Sequence, residues 1–313
     1  MSRAGANGAA AGRFFLGLPA PAKINLFLHV LGRRDDGYHE IQSVFVPVDL
    51  CDTLDFRLRA DACIEREGDM TGPADSDLPV RAARLLQSYA AQTGAGAGAL
   101  GATITVEKRI PVGAGLGGGS SDAATTLIAL NRLWALDLPR AILAELGQRL
   151  GADVTFFLGT RAAFVEGIGE RCTPLTLPPA WYVVLFPQVS VSTAEIFADP
   201  KLTRNTKGTT IAGFSAALTS RAGEAGGAAA DRWFGANDLE AVVRGKIRAV
   251  QEALRLLGRF RPARMSGSGS AVFCTCAGEA EAREVSAQVR AQAPPGWQVW
   301  AVPGLASLPL ADW

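Results

Sequence analysis

The feature that most limits the possible folds of this chain is a glycine-rich stretch that runs directly into a helical pattern. From Pro111 to Ala124 the sequence reads Pro-Val-Gly-Ala-Gly-Leu-Gly-Gly-Gly-Ser-Ser-Asp-Ala-Ala, with five glycines between Gly113 and Gly119. Glycine tolerates positive φ and close approach to its backbone, and a helix start carries about half a positive charge. The stretch therefore predicts a cluster of N–H groups that binds an anion, most commonly a nucleotide phosphate. A flexible linker is the alternative, but linkers seldom lead straight into a helix.

The composition is that of a charge-balanced globular protein. The chain has 313 residues, enough for two domains, and 31 Lys and Arg stand against 30 Asp and Glu. This balance gives no case for binding nucleic acid or a membrane surface. Five dispersed cysteines without CxxC spacing and only two histidines favour reduced thiols, a cytoplasmic location and no His-rich metal centre. No apolar run approaches the ~20 residues of a membrane-spanning helix.

Composition shifts along the chain predict three parts. Residues 1–18, rich in Ala and Gly, are predicted to be a disordered extension and not a signal peptide. Two consecutive prolines then divide the remainder into a first domain over 19–177 and a second over 178–313. Residues 201–230 have little pattern and are predicted to form a long mobile loop with a weak helix at best.

Local periodicity predicts strands and helices around the glycines. Apolar residues alternate with others from Lys23 to Val30, which predicts a strand with one buried face and with Lys23 and Asn25 on the less apolar side. Ser120 or Ser121 is predicted to cap the helix after the glycines. Helical spacing predicts helices over 78–91, 120–136 and 238–257. The stretch Ser192-Thr-Ala-Glu195 fits a capping box that opens a short helix.

Several nucleotide-binding motifs are excluded by their missing partners. Gly113 to Gly118 matches the G-x-G-x-x-G pattern, and Asp137 lies near the distance of the ribose-binding acid. That acid should end a second strand, whereas Asp137 continues a helical pattern. There is no GK[ST], no set of protein-kinase motifs and no G-x-S-x-G elbow. The interpretation that remains is a phosphate-binding loop that belongs to none of these motifs.

These residues resemble a known family. Pro111 to Ala124 is similar to the phosphate-binding motif of the kinase superfamily named after galactokinase, homoserine kinase, mevalonate kinase and phosphomevalonate kinase. Four more stretches, in the family's order, are similar to its branch that acts on a cytidine-diphosphate-linked methylerythritol: Pro21-Ala-Lys-Ile-Asn-Leu26, Gly37-Tyr-His-Glu, Gly151-Ala-Asp-Val and Met265-Ser-Gly-Ser-Gly269. The resemblance implies an α+β fold of two domains, an N-terminal ribosomal-protein-S5-like domain and a C-terminal ferredoxin-like domain, with the active site in the cleft between them.

The resemblance also implies an activity. It is the ATP-dependent phosphorylation of the 2-hydroxyl of that substrate in the non-mevalonate isoprenoid pathway, with ATP and Mg²⁺ as cofactors. The expected partners are ATP and the small substrate, with no nucleic acid or membrane, and the chain is expected to be a monomer or weak homodimer. Two alternatives stay open: a mevalonate- or homoserine-type kinase, and a catalytically inactive nucleotide sensor.

By position, the resemblance implies two catalytic residues. Asp153 matches the general base that takes the hydroxyl proton, and Lys23 matches the cation beside it. From the residues alone, Lys23 could equally be an ordinary solvated lysine at a strand start. Asp153 could be a capping or turn residue.

The remaining binding residues also come from the resemblance. Tyr38 and Phe197 match the aromatic rings that sandwich the cytosine, and His39 matches the position that reads the cytosine edge. Asn25 and Thr193 belong to the same pocket, although core packing is the alternative for the two aromatics. The ATP phosphates are assigned to Pro111, Val112, Gly113, Ala114, Gly115, Leu116, Gly117, Gly118, Gly119, Ser120 and Ser121.

The adenosine end differs in part from the family pattern. Lys108 and Asp77 match positions in the adenosine pocket, but relatives usually have Asn in place of Asp77. Thr155 replaces a usual Pro after Asp153-Val154, which could loosen the turn that holds the predicted base. No metal ligand is assigned.

Overall fold

A computed structural model describes residues 13–70, 72–73, 76–96, 100–222 and 234–313. The strands are β1 (Phe14–Arg33), β2 (His39–Arg59), β3 (Ile64–Gly68), β4 (Gly101–Glu107), β5 (Ala163–Glu166), β6 (Arg171–Pro174), β7 (Trp181–Phe186), β8 (Arg264–Met265), β9 (Val272–Cys276) and β10 (Gln298–Pro303). The helices are α1 (Leu78–Thr93), α2 (Gly118–Leu133), α3 (Arg140–Leu150), α4 (Ala152–Phe157), α5 (Thr193–Ala198), α6 (Ile211–Ala222), α7 (Glu240–Lys246), α8 (Arg248–Leu257) and α9 (Glu279–Gln292).

The first sheet is built on the long antiparallel pair β1 and β2. Its strand order is β3-β4-β2-β5-β6, with β1 also paired to β2. Helices α1 to α4 form the adjoining layer, and α2 packs on β1 and β2. The start of β1 at Phe14 lies within the predicted disordered extension of 1–18, so that part of the prediction is wrong. Residues 1–12 lie outside the described chain.

Strand β1 is buried on both faces, although its alternation predicts one exposed face. Lys23 is 3% exposed and Asn25 is 1% exposed. The pairing register shifts between Asn25 and Leu28, and this irregularity leaves Phe27 fully buried and Leu26 half-buried. The second half of the chain covers the other face, where the Asn25 backbone N–H donates to Ser266 Oγ.

The second sheet is antiparallel and has the order β10-β7-β9-β8. Helices α8 and α9 pack against it. One apolar cluster contains residues of both halves, among them Ile24 and Val48 from the first and Val184 and Phe273 from the second. The two sheets with their helices confirm the predicted α+β class.

The structure differs from two secondary-structure predictions in the second half. The predicted single helix over 238–257 is interrupted at Ile247, whose extended backbone (φ −122°, ψ 98°) separates α7 from α8. Within the predicted mobile loop over 201–230, the chain forms α6, and Phe214 on this helix is 1% exposed because it packs in an aromatic cluster. Residues 223–233 lie outside the described chain. None of the helices in the described ranges is long and apolar enough to cross a membrane.

The chain passes between the two halves a second time after β10. Gly304 N–H donates to Ala180 O at 2.9 Å, beside the first connection. The following residues return to the first half, where Leu308 and Leu310 join its core. Arg140 on α3 holds this segment by donating to the Leu310 carbonyl at 2.7 Å.

Candidate active site

A cavity of about 530 Å³ lies where the two halves meet. Its volume is within the range typical of small-molecule sites, roughly 300–1,000 Å³. The first half contributes the glycine loop, residues 111–119, together with Lys23 and Asp153. The second half contributes α5 and the serine-glycine turn, residues 266–270.

The glycine loop has the backbone conformation that its sequence requires. Gly113, Gly115 and Gly117 have φ of 68°, 74° and 73°, in the left-handed region that favours glycine. A Cβ on Gly115 would lie 2.2 Å from the Ser266 carbonyl oxygen, so the loop and the serine-glycine turn touch through their backbones. Helix α2 begins at Gly118 with Gly117 as its N-cap residue.

Ser120 and Ser121 are therefore first-turn residues of α2, and the prediction that one of them caps the helix is wrong. Ser120 lines the cavity. Ser121 is fully buried, and its hydroxyl has no hydrogen-bond partner among the described residues.

The carbonyl groups of the glycine loop are bound by the surrounding protein. The donors are Val191 N for Gly113 O (3.2 Å), Ala271 N for Ala114 O (3.0 Å), Ser266 Oγ for Gly115 O (3.0 Å) and Lys23 N for Leu116 O (2.9 Å). With these carbonyls fixed, the N–H groups are the polar groups that the loop can offer to the cavity. The first N–H groups of α2 also lack intrahelical acceptors. The geometry suits an anion such as a phosphate.

Lys23 and Asp153 meet at the floor of this cavity. The Lys23 Nζ and Asp153 Oδ2 atoms are 3.5 Å apart. Lys23 also donates to Asn25 Oδ1 at 2.7 Å and lies 4.6 Å from the centre of the Phe45 ring. Asp153 lies in the first turn of α4, where the helix dipole stabilises a carboxylate, and its side chain is 32% exposed. A buried cation thus faces a carboxylate that solvent and a ligand can reach.

Lys108 belongs to a buried ionic cluster that we call the Asp52–Lys108–Asp122 cluster. Its Nζ donates to both carboxylates, at 2.7 Å for Asp122 Oδ2. Asp52 Oδ1 accepts the N–H groups of Arg109 (2.6 Å) and Ile110 (2.8 Å), which fixes the chain just before the glycine loop. Burial raises the pKa of Asp122 to about 7, Lys108 opposes this rise and Asp52 adds to it. Lys108 lines the cavity, but two carboxylates hold its ammonium group.

Asp77 also has a buried partner at the cavity wall. Arg66 Nε donates to Asp77 Oδ2 at 3.0 Å, and both side chains are 3% exposed. Asp77 and Arg66 line the same cavity as the glycine loop. Arg66 therefore balances the negative charge of the buried Asp77 carboxylate.

The predicted substrate residues are only partly brought together. Thr193 and Phe197 lie on α5, whose N-cap residue Ser192 accepts the Glu195 N–H as its sequence predicts, and both line the cavity. The His39 ring lies 5.0 Å from the Phe197 ring at an interplanar angle of 33°. Tyr38 is 60% exposed and is absent from the described cavity lining, so it forms no sandwich with Phe197 in this structure.

Sequence reasoning missed Ser268 and Asn237, which support the site. Ser268 and Thr193 share a hydroxyl hydrogen bond of 2.7 Å. Asn237 donates to the Met265 and Gly267 carbonyls, at 2.8 Å each, and so fixes the serine-glycine turn. The Ser-Gly-Ser-Gly pattern was the available signal for this turn. Nothing local distinguishes Asn237, because its role depends on a contact about 30 residues away.

Family models match both halves of the chain. The model described as "GHMP kinases N terminal domain" matches residues 77–160, and the one described as "GHMP kinases C terminal" matches residues 214–295. GHMP kinases use ATP. The two matches cover the glycine loop, Asp153 and the serine-glycine turn.

Curated relatives match almost the whole chain. A 4-diphosphocytidyl-2-C-methyl-D-erythritol kinase from Ralstonia nicotianae is 52% identical over 295 residues, which are 94% of this chain and 95% of the relative. One from Thiobacillus denitrificans is 54% identical over 268 residues, with 85% and 88% covered.

Solved structures agree in fold. A crystal structure of 4-(cytidine 5'-diphospho)-2C-methyl-D-erythritol kinase matches with a TM-score of 0.74 and 35% identity, covering 92% of this chain and 99% of the other. The homoserine kinase of Cytophaga hutchinsonii matches in fold, with a TM-score of 0.66, 15% identity and coverage of 97% and 98%. This chain therefore belongs to the GHMP kinases, and among them to the 4-diphosphocytidyl-2-C-methyl-D-erythritol kinases, and it is a small-molecule kinase.

Proposed function

We propose that this chain transfers the γ-phosphoryl group of ATP to the 2-hydroxyl of 4-diphosphocytidyl-2-C-methyl-D-erythritol, a step of isoprenoid precursor synthesis. The relatives that are about half identical over nearly the whole chain bear the name of this kinase. We further propose that the enzyme acts in the cytoplasm as a monomer or weak homodimer, without nucleic acid or membrane. Its domains would be residues 19–177 and 178–313, which contain the first and the second sheet respectively, apart from the start of β1 and from the end of the chain, where Leu308 and Leu310 pack in the core of the first half.

The 3.5 Å approach of Lys23 Nζ to Asp153 Oδ2 carries the proposed mechanism. Asp153 accepts the proton of the substrate hydroxyl, whose oxygen then attacks the γ-phosphorus while the bond to the bridging oxygen of ADP breaks. Lys23 stabilises the ionised carboxylate electrostatically and offsets the negative charge of the moving phosphoryl group. The ammonium group of Lys23 is held in place by the hydrogen bond that it donates to Asn25 Oδ1.

The glycine loop supplies the larger electrostatic contribution. Phosphoryl transfer relies mainly on positioning and charge stabilisation, and each charge-assisted hydrogen bond contributes roughly 1.5–3 kcal/mol. In the proposal, N–H groups from Gly113 to Ser120 bind the phosphates. Ser121 is buried in the first turn of α2 on the side away from the cavity. Asp77 and Lys108 stand at the adenosine end as proposed binding residues.

The oxygen donors at the cavity wall fit a magnesium ion that is held mainly by the ATP phosphates. Mg²⁺ commonly takes only one or two protein oxygens when it accompanies a nucleotide. The Asp153 carboxylate and the Ser120 hydroxyl are oxygen donors that line the cavity. No group of three His, Cys, Asp or Glu in the described part of the chain could hold a metal without the nucleotide. When bound, the ion would neutralise phosphate charge.

The cytidine end is proposed to lie beside α5. Phe197 stacks on the base, His39 contacts its edge, and Thr193 and Asn25 contribute polar groups. Tyr38 completes the sandwich if the exposed loop that carries it moves over the base. Stacking of a base on an aromatic ring is worth about 1–3 kcal/mol, so two rings would give appreciable affinity.

An Asp153→Asn variant tests the proposed base. We expect turnover to fall about 10²- to 10⁴-fold because the amide cannot accept the proton, while the affinity for ATP measured without Mg²⁺ changes little. The matched control is Glu145→Gln on the exposed surface of α3, which should leave both unchanged. Coupled ADP-release kinetics and nucleotide binding by calorimetry measure the two quantities. Unchanged turnover in Asp153→Asn would refute the assignment.

A substrate panel tests the acceptor. ADP release should occur with the cytidylyl substrate and not with mevalonate or homoserine. Turnover of mevalonate or homoserine alone would contradict the proposed substrate. ATP binding without turnover of any acceptor would indicate an inactive sensor.

A further inference from the structure

Arg204 lies outside the catalytic groups and bonds to two predicted substrate residues: Phe197, which lines the cavity, and His39, which lies outside its described lining. It is half-buried in the segment between α5 and α6. Its guanidinium donates to three carbonyl oxygens and to one imidazole nitrogen. The acceptors are Phe197 O (2.8 Å), Asp199 O (2.7 Å), Leu202 O (3.1 Å) and His39 Nε2 (3.0 Å).

The first effect of Arg204 is on the position of Phe197. Helix α5 has only six residues, and the last carbonyl groups of a helix have no intrahelical donors. Arg204 supplies donors to the Phe197 and Asp199 carbonyls, and its positive charge at the helix C-terminus is favourable. The backbone that carries the Phe197 ring is thus fixed by an arginine that does not itself line the cavity.

The second effect is on the protonation of His39. The Nε–H of Arg204 donates to His39 Nε2, so this ring nitrogen must be unprotonated. In a neutral imidazole the proton then lies on Nδ1, which becomes a donor. Burial lowers the pKa of His39, and the positive charges of Arg204 and Arg33 lower it further, in agreement with a neutral ring.

We propose that Arg204 is a positioning residue for substrate specificity, which fixes an aromatic face at Phe197 and an N–H donor at His39 Nδ1. This pair of groups selects a flat heteroaromatic base whose edge presents a hydrogen-bond acceptor, as the unprotonated ring nitrogen of cytosine does. Uracil carries a hydrogen on the corresponding ring nitrogen, so the fixed donor disfavours it. The inference rests on the proposed function, because it assumes that the nucleoside end of the substrate lies here.

Steady-state kinetics of an Arg204→Met variant test the inference. We expect KM for the cytidylyl substrate to rise about tenfold or more, since a lost charge-assisted contact has that effect. Both kcat and KM for ATP should stay within about twofold, because Arg204 contacts neither the glycine loop nor Asp153. The matched control is Lys201→Met, which removes a positive charge from the same segment. Lys201 has no described contact with His39, so this variant should leave kcat and both KM values unchanged.

Base discrimination separates a positioning role from a merely structural one. The ratio of kcat/KM for the cytidylyl substrate to that for its uridylyl analogue should fall about tenfold or more in Arg204→Met. In a His39→Gln background the Arg204→Met change should have a much smaller effect on this ratio, since both act through the same ring. If Arg204→Met is poorly folded, Arg204→Lys keeps the charge but cannot make all four hydrogen bonds, and should shift the ratio in the same direction.

The outcomes distinguish this inference from the proposed function. A wild-type protein that does not phosphorylate the cytidylyl substrate would overturn both. An active wild-type enzyme whose Arg204 variants keep the same KM and base ratio would overturn the role of Arg204 alone. A uniform loss, with KM for ATP and kcat affected as strongly as KM for the cytidylyl substrate, would do the same.

Discussion

The Asp52–Lys108–Asp122 cluster makes stability depend on pH in an unusual direction. One ammonium group faces two buried carboxylates, and Asp122 Oδ1 has no hydrogen-bond partner among the described residues. The Asp122 pKa is raised from 3.8 to about 7, and burial is the largest cause. Between these pH values the folded protein retains a proton that the unfolded chain has lost. The free energy of unfolding therefore falls as the pH rises from about 4 to about 7, and it levels off above that value.

The magnitude follows from the size of the shift. A pKa shift of one unit corresponds to about 1.4 kcal/mol, so the full shift costs on the order of 4 kcal/mol at alkaline pH. Asp122→Asn keeps the shape and an acceptor for Lys108 but removes the second charge. Relative to the unchanged protein, this variant should gain roughly 3 kcal/mol of unfolding free energy between pH 5 and pH 8.

Urea denaturation followed by tryptophan fluorescence, at pH steps from 5 to 8, measures this difference. Comparing both proteins at each pH cancels the titration of all other groups. The matched control is Asp35→Asn, which removes an exposed carboxylate outside the cluster. The reasoning fails if Asp122→Asn is equally destabilised at pH 5 and pH 8, since the second carboxylate would then contribute favourably when ionised.

Two further substitutions test the glycine loop and α6. Gly115→Ala should lower stability by more than about 1–2 kcal/mol and raise KM for ATP, because φ is positive and the new Cβ would contact Ser266 O. The control Gly245→Ala has open space and should be neutral or slightly stabilising; equal effects in kinetics and urea denaturation would contradict the loop geometry. Phe214→Ala should cost about 3–5 kcal/mol in urea denaturation because the ring is buried among other aromatics, and a loss below about 1 kcal/mol would show that α6 is not packed.

The sequence predicted best what is encoded locally. The glycine loop was predictable because glycine at alternate positions before a helix has few other uses. The short helix at Ser192 was predictable because one side chain caps it. Both features depend on residues that are close in the chain, so no tertiary contact is needed to interpret them.

Features that depend on distant contacts were predicted less well. The burial of Lys23 and Asn25 results from the second half of the chain covering β1, which no alternation pattern records. Lys108 appears as an ordinary lysine at a strand end, and only the fold brings Asp52 and Asp122 to it. The break at Ile247 had a weak signal in Gly245, but the period of the apolar residues continues through it.

The two connections between the halves have a mechanical consequence. Two bodies joined by a single strand can tilt and twist in every direction. Here the segments that contain Ala180 and Gly304 run side by side and share a hydrogen bond, so the halves are joined at two adjacent places. The second half also donates hydrogen bonds to three carbonyl groups of the glycine loop, which resist rotation of one half against the other. The glycine loop and the serine-glycine turn are thereby held in one alignment across the cavity.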